Sequence, residues 1–184
     1  MEAKANLEPE AFAALVRRAK EGSQGDLEIL IGRFQDRIAG FIYSIVGRDD
    51  AIEDLCHNTF IKMITGLAGL EKPESFEAWL FRIARNVCND FLRKKKLWRI
   101  FVPFEPQHEQ IASALPRSDS RLQAFHTAIE GMPANQKELI LLLGENDWSY
   151  EQLAEITGSS LSAVKSRLFR AREYLRQRMT DDEE

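Results

Sequence analysis

Cysteine is scarce in this chain: Cys56 and Cys88 are the two, with no motif spacing. That sets aside a disulfide framework and a zinc cluster. Long apolar runs are missing too; none approaches the roughly 18–20 residues that span a bilayer. The opening MEAKANLEPE has no signal-peptide stretch, so the expectation is a cytoplasmic protein without membrane insertion. His57, His108 and His126 lie in separate segments without ligand spacing, and no metal site is expected. The acids Asp49, Asp50, Glu53 and Asp54 lack the calcium-loop pattern and read as a helix N-terminus favoured by the helix dipole. With no phosphate-binding glycine motif, no nucleophile elbow and no further cluster of acids or His/Cys, neither a catalytic residue, a cofactor nor a small-molecule substrate is expected. The chain is not read as an enzyme.

Positive charge is also short overall, with 25 Lys and Arg against 29 Asp and Glu in 184 residues, a net charge of −4. Taken as an average, this counts against nucleic-acid binding. The distribution says otherwise. Residues 81–99 hold 7 basic residues and 1 acidic, and residues 161–178 hold 6 basic and 1 acidic, in an otherwise acidic chain. Each run taken alone could be a solvated helix face.

What is abundant is helical periodicity. Phe12, Leu15, Val16 and Ala19 follow one helical stripe, ending before Gly22. Leu27, Leu30, Ile31, Phe34, Ile38, Phe41, Ile42 and Ile45 make a longer helix stopped at Gly47. Asp49 or Asp50 can cap a third, running to about Leu67. After the loop GLAGLEKPES a fourth starts near Phe76, with Phe76, Trp79, Leu80, Ile83, Val87 and Phe91 as its buried stripe. Arg82, Asn86, Asn89, Arg93 and Lys96 recur on its other side. Asp90 can pair with Arg93 or Lys94 one turn on.

From about Leu97 to Ser120 the pattern lapses, and Pro103, Pro106 and Pro116 forbid a continuous helix. Trp98, Ile100, Phe101, Val102 and Phe104 make this linker unusually apolar. Helices are expected again at 121–131, 133–143, 149–157 and 160–179. No period-two strand is found. The fold class is therefore all-α: two small helical domains, residues 1–97 and 121–184, joined by an irregular linker, 98–120.

The stretch WSYEQLAEITGSSLSAVKSRLFRAREYLRQ has the form of a helix-turn-helix. Ser149 and Ser160 can cap the two helices, Gly158 permits the turn, and Leu153, Ala154 and Ile156 supply the first helix's core. Leu161, Val164, Leu168, Ala171 and Leu175 point inward on the second. Ser162, Lys165, Ser166, Phe169 and Arg170 remain outside, flanked by Arg167 and Arg172. A major groove accepts such a helix: Arg and Lys reach guanines or phosphates, and Phe169 a thymine methyl. The alternative is an ordinary helical hairpin with a soluble face.

Three motifs together resemble a sigma factor of the extracytoplasmic-function (ECF) group, the two-domain form of the bacterial promoter-specificity subunit. They are FEAWLFRIARNVCNDFLRKKK at 76–96, DAIEDLCHNTFIKM at 50–63, and MPANQKELILLLGENDWSYEQLAEITGSSLSAVKSRLFRARE at 132–173. The chain departs from the family at His57 and Asn58, where Gln-Glu is usual, at Lys137, where Arg is common, and at Ala163, where Thr is common.

The resemblance implies that Asp54, Leu55, Asn58 and Phe60 bind the clamp of the large subunit of core RNA polymerase, with the flap as a further contact. It implies that residues 66–75 and the start of the next helix, with Leu70, Ser75, Phe76 and Trp79, hold the minus-ten element as single strands. One base is then captured outside the stack, and an exposed Phe76 or Trp79 would serve as stacking platform. Arg82, Arg85, Asn86, Asn89, Arg93, Lys94, Lys95 and Lys96, together with Arg99, would hold the backbone, with affinity falling as salt rises. Ser162, Lys165, Ser166, Arg167, Phe169 and Arg170 would read the minus-thirty-five element as duplex. An anti-sigma protein is the further partner the resemblance implies. A freestanding helix-turn-helix regulator, binding duplex operators without polymerase, is the alternative reading.

Overall fold

Each helix starts and stops where its side chains dictate. In the computed structural model, residues 8–47, 49–101, 125 and 127–180 are described, with side chains omitted at 97–101 and 180. Helix α1, Pro9–Lys20, begins with proline in its first turn, where a missing N–H costs nothing. It collects Arg17, Arg18 and Lys20 in its last turn, against the negative end of the helix dipole. Ser23 Oγ accepts from the Asp26 N–H and caps α2, Gln24–Val46. Arg18 grips the Asp26 carboxylate with two nitrogens at 2.7 and 3.0 Å, holding Asp26 below the usual carboxylate range, with the Ser23 hydroxyl adding to the effect.

Helix α3 is Ile52–Gly66 and α4 is Phe76–Phe101; between them lie two short 3₁₀ turns, Leu67–Gly69 and Pro73–Ser75. Asp49 does not cap α3 directly. Its Oδ1 accepts from the Ala51 N–H at 3.0 Å, and the helix opens one residue later, at Ile52. Helix α4 is longer than the charge and proline pattern suggested: residues 98–101, expected as linker, complete its last turn just ahead of Pro103. The remainder of the expected linker, His108, His126 and the acidic tail 181–184 lie outside the described residues.

Residues 127–130 are helical. They are followed by α5, Ala134–Glu145, α6, Tyr150–Thr157, and α7, Leu161–Thr180. No strand occurs among the described residues.

The first four helices enclose Leu30, Phe34, Ile38, Phe41, Ile42, Met63, Phe76 and Leu80, all essentially sealed from solvent. Phe12, Phe34 and Phe76 meet pairwise at ring-centroid distances of 5.6–6.1 Å, and Trp79 joins Phe76 at 5.9 Å. Such offset aromatic contacts add to what area burial contributes. The last helices bury Leu139, Leu142, Leu153, Ile156, Val164 and Leu168.

The two groups are not separate globules. Helix α6 lies along α4, and α5 lies against α2, so one apolar cluster runs through both halves. Phe81 is the hinge pin of this cluster, edge-on to Phe41 at 5.2 Å on one side and to Trp148 at 5.2 Å on the other. Helix α4 is therefore buried along two stripes. Alongside Phe76, Leu80 and Val87, the structure seals Phe81, Ala84 and Cys88, while Trp79, Ile83 and Phe91 of the expected stripe are only half-buried.

Candidate nucleic-acid interface

Two cationic faces emerge from this framework. On α4, Arg82, Asn86, Asn89, Arg93, Lys94 and Lys96 are exposed, as the one-sided recurrence of polar residues predicted. Arg93 bonds Asp90 at 3.0 Å. Lys95 behaves differently: it pairs with Asp49 across the start of α3 and sits 5.6 Å over the Phe91 ring. The Lys95 ammonium, helped by the Ala51 N–H, holds the Asp49 carboxyl below its ordinary range.

Beside this face lies a hollow of about 260 Å³ lined by Gly69, Leu70, Glu71, Lys72, Ser75, Trp79 and Arg82, with Glu155 of α6 also on its wall. The Lys20 ammonium donates to the Leu70 carbonyl at 2.8 Å, tying α1 to the loop that forms the hollow. Gly66 packs closely here: a Cβ at that position would come to 3.2 Å from the Trp79 ring, which would have to shift slightly. Phe76 has no exposed surface and Leu70 is buried. Phe76 is thus a core residue and not a stacking platform; half-buried Trp79 keeps a surface on the hollow.

The helix-turn-helix is built as its sequence predicts. The Ser149 hydroxyl accepts from the Gln152 N–H at 3.1 Å while the Gln152 side chain accepts from the Ser149 N–H at 2.9 Å, a reciprocal cap. Gly158 takes left-handed angles, φ 61° and ψ 34°, that disfavour any residue with a Cβ. Ser160 Oγ accepts from the Ala163 N–H at 3.3 Å and starts α7. Val164, Leu168 and Ala171 turn inward, while Ser162, Lys165, Ser166 and Arg170 are exposed, with Phe169 67% exposed. Arg167 departs from this face: it is half-buried and its guanidinium donates to Ser159 Oγ at 2.9 Å, bracing the turn.

On α3, Asp54 and Asn58 are exposed and Phe60 is half-buried, but Leu55 is only 6% exposed and packs into the core. The exposed apolar residues on this helix are Ile61 and Ile64, each 44% exposed, which sequence reasoning passed over. Their signal was available. Leu55, Thr59 and Met63 set the buried phase of α3, and Ile61 and Ile64 fall out of phase with it, beside His57 and Asn58.

The largest revision concerns Arg85. Its guanidinium is gripped by both oxygens of Glu138 on α5, the second contact at 3.3 Å. Nearby, Arg37 bridges Glu77 at 2.5 Å and Glu145 at 2.9 Å, and Asn146 donates to Glu77 at 3.1 Å. Arg37 also lies over the Phe34 and Phe81 rings, at 5.3 and 5.2 Å. Next to this seam the Cys88 thiol is pushed up to about 12, first by burial and then by neighbouring charge. Among the described residues no group of three or more His, Cys, Asp or Glu is placed to hold a metal ion, and no helix is long and apolar enough to cross a membrane.

Residues 30–97 match Sigma-70 region 2, and residues 122–175 match Sigma-70, region 4. The ECF RNA polymerase sigma-E factor of Haemophilus influenzae is 30% identical over 180 residues, covering 88% of this chain and 92% of that protein. This chain belongs to the ECF RNA polymerase sigma factors. The ECF sigma factor EcfG of Rhodopseudomonas palustris is 28% identical over 75% of the chain and 76% of its own length. Among solved structures, the sigma factor RpoE of Bartonella quintana, in complex with the anti-sigma factor NepR, overlays with a TM-score of 0.70. It shares 27% identity and covers 84% of this chain and 97% of its own. CnrH, in complex with the cytosolic domain of CnrY, overlays at 0.69 over 93% of this chain and 98% of its own, with 23% identity, and supports the fold. As an ECF sigma factor the chain acts with core RNA polymerase at promoters, and the region 2 match spans most of α2, all of α3 and most of α4.

Proposed function

We propose that the work of this sigma factor is divided among three surfaces. The exposed side of α3, with Asp54, Asn58, Ile61 and Ile64, docks on the polymerase clamp. The hollow beside Trp79, with the outer face of α4, holds the minus-ten element as single strands; α7, through Ser162, Lys165, Ser166, Phe169 and Arg170, reads the minus-thirty-five element. The domain limits 1–97 and 121–184 follow this division, and the chain works in the cytoplasm, where polymerase and DNA are.

The observation that carries the reading is the solvent row Arg82, Asn86, Arg93, Lys94 and Lys96 running away from the hollow. A single strand needs that combination: cations along a groove for its phosphates, and an aromatic edge worth about 1–3 kcal/mol per stacked base. An anti-sigma protein is the proposed regulator, since RpoE, similar along most of this chain, was solved bound to one.

Run-off transcription with core enzyme on a genomic promoter library tests the reading. The expected result is a small set of start sites with shared upstream elements, appearing only when this chain is added. Tight operator binding by the chain alone, with no association with core enzyme, overturns it in favour of a freestanding regulator.

A further inference from the structure

Helix α1 takes hold of the loop that forms the hollow. Of the three cations in its last turn, Arg18 is held by Asp26, Arg17 is exposed, and Lys20 donates to the Leu70 carbonyl, 50 residues away in sequence. Leu70 is thereby fixed on three sides. Its side chain is buried, its N–H donates to the Leu67 carbonyl at 3.1 Å, and its own carbonyl accepts from Lys20 at 2.8 Å. The next two residues are held differently. Glu71 and Lys72 are exposed and line the hollow, and among the described residues no acceptor meets their N–H groups.

The Leu70–Glu71 peptide is trans, so its carbonyl and its N–H point to opposite edges of one plane. Drawing the Leu70 carbonyl toward α1 turns the Glu71 N–H away from α1. A cation on that carbonyl also polarises the peptide, which makes its N–H the stronger donor. One such bond contributes modestly to stability; what it fixes is a direction.

We propose that Lys20 is a positioning residue for promoter selectivity: through the Leu70 carbonyl it aims the Glu71 N–H at a base held in the hollow. The base favoured in this way is one that offers an acceptor there, a ring nitrogen or a keto oxygen. The proposal rests on the reading of the hollow as the minus-ten site. It adds a residue from outside both family matches, the first of which begins at residue 30.

The test is run-off transcription by the full chain with core enzyme, on promoters in which each minus-ten position is varied in turn. Lys20→Met keeps the aliphatic stem and removes the ammonium. Lys20→Arg keeps the charge and the donors. Arg17→Met, one turn away and exposed, removes the same charge without touching the loop. In Lys20→Met, discrimination at one position should fall about 3- to 10-fold, the worth of one hydrogen bond, while preferences at the other positions and co-elution with core enzyme stay parental. Lys20→Arg and Arg17→Met should both keep the parental profile.

An unchanged profile in Lys20→Met overturns the proposal. So does an even loss over all promoters, which would make the bond a mere brace, and so does an equal change in Arg17→Met, which would reduce the effect to net charge. A parent that shows no minus-ten preference at all overturns the reading of the hollow itself; a parent whose preference survives in Lys20→Met overturns only the role of Lys20.

Discussion

Helices α4 and α7 are both long, amphipathic and basic, and in sequence they look like equals. In the folded chain they are not. Helix α7 presents Lys165 and Arg170 to solvent next to a bare Phe169, while others of its cations are engaged locally: Arg167 by Ser159 in the turn, Arg176 by Glu173 and Arg178 by the Tyr174 ring. Helix α4 has Arg85 held by Glu138, Lys95 by Asp49 and Arg93 by Asp90. Cation counts therefore overstate the available positive surface of both helices; the difference is that α4 is engaged partly from other elements, by Glu138 of α5 and by Asp49 ahead of α3, and α7 only from its own turn and helix. A basic helix that packs on two sides must satisfy the cations at its flanks, whereas one that packs on a single side can leave them to a ligand.

The comparison breaks most visibly if the seam is emptied. Trp148→Ala removes a ring that is 5% exposed and packed on Phe81; such truncations cost about 3–5 kcal/mol. Denaturant unfolding of this variant should show that loss. A loss below about 1 kcal/mol, the scale of an exposed ion pair, would mean that the halves hardly stabilise each other.

Next in size is the open helix. Arg170→Ala should weaken minus-thirty-five-dependent transcription by the equivalent of about 1–3 kcal/mol and leave assembly with core polymerase intact, measured by run-off transcription and co-elution. Loss of polymerase binding would contradict the division of labour between α7 and α3.

A finer test lies in the run 94–96. Changing all three lysines to Ala should flatten the salt dependence of promoter binding by about two contacts rather than three, each phosphate contact contributing on the order of 0.7–0.9 to the slope. Lys95 is the one already neutralised by Asp49. A change of three would show that DNA recruits Lys95 away from its partner, and no change would show that the row is only a solvated face.

The smallest expected effect is the pH response of that same pair. The Asp49 carboxyl is lowered in the folded chain, so the stability it adds is fully present above its unfolded value, near pH 4. That stability is lost as pH falls through the lowered folded value. Because Lys95 is nearly half exposed, the contribution is well under about 1 kcal/mol. Asp49→Asn should remove this part of the acid sensitivity in unfolding curves; an unchanged curve would mean the pair adds nothing.

Most helices, the reciprocal cap at Ser149 and the Gly158 turn were legible in the sequence, because each depends on residues within a turn or two of one another. The α7 face was legible for the same reason: one buried stripe fixes what remains outside. What could not be read was the second stripe of α4. Phe81, Ala84 and Cys88 repeat at helical spacing, but a single stripe through Phe76, Leu80 and Val87 already accounted for burial against α2 and α3. Nothing local distinguishes Arg85 from Arg82; their fates differ because α5 reaches one and not the other. Leu55 and Phe76 show the converse. Family motifs mark them as part of functional segments, yet their phase on α3 and α4 puts them in the core, which they serve by holding those segments in place.

Cys88 gives the seam a clock. Its thiol is sealed on the α4 face that carries Arg85, and burial keeps it protonated far above neutral pH, so an alkylating reagent finds almost no thiolate while that face is covered. In a chain whose Cys56 is replaced by Ser, the slow modification of Cys88 would count excursions of the C-terminal half, one covalent mark for each chain caught apart. The buried sulfur, useless for chemistry, becomes a record of how often the molecule breathes.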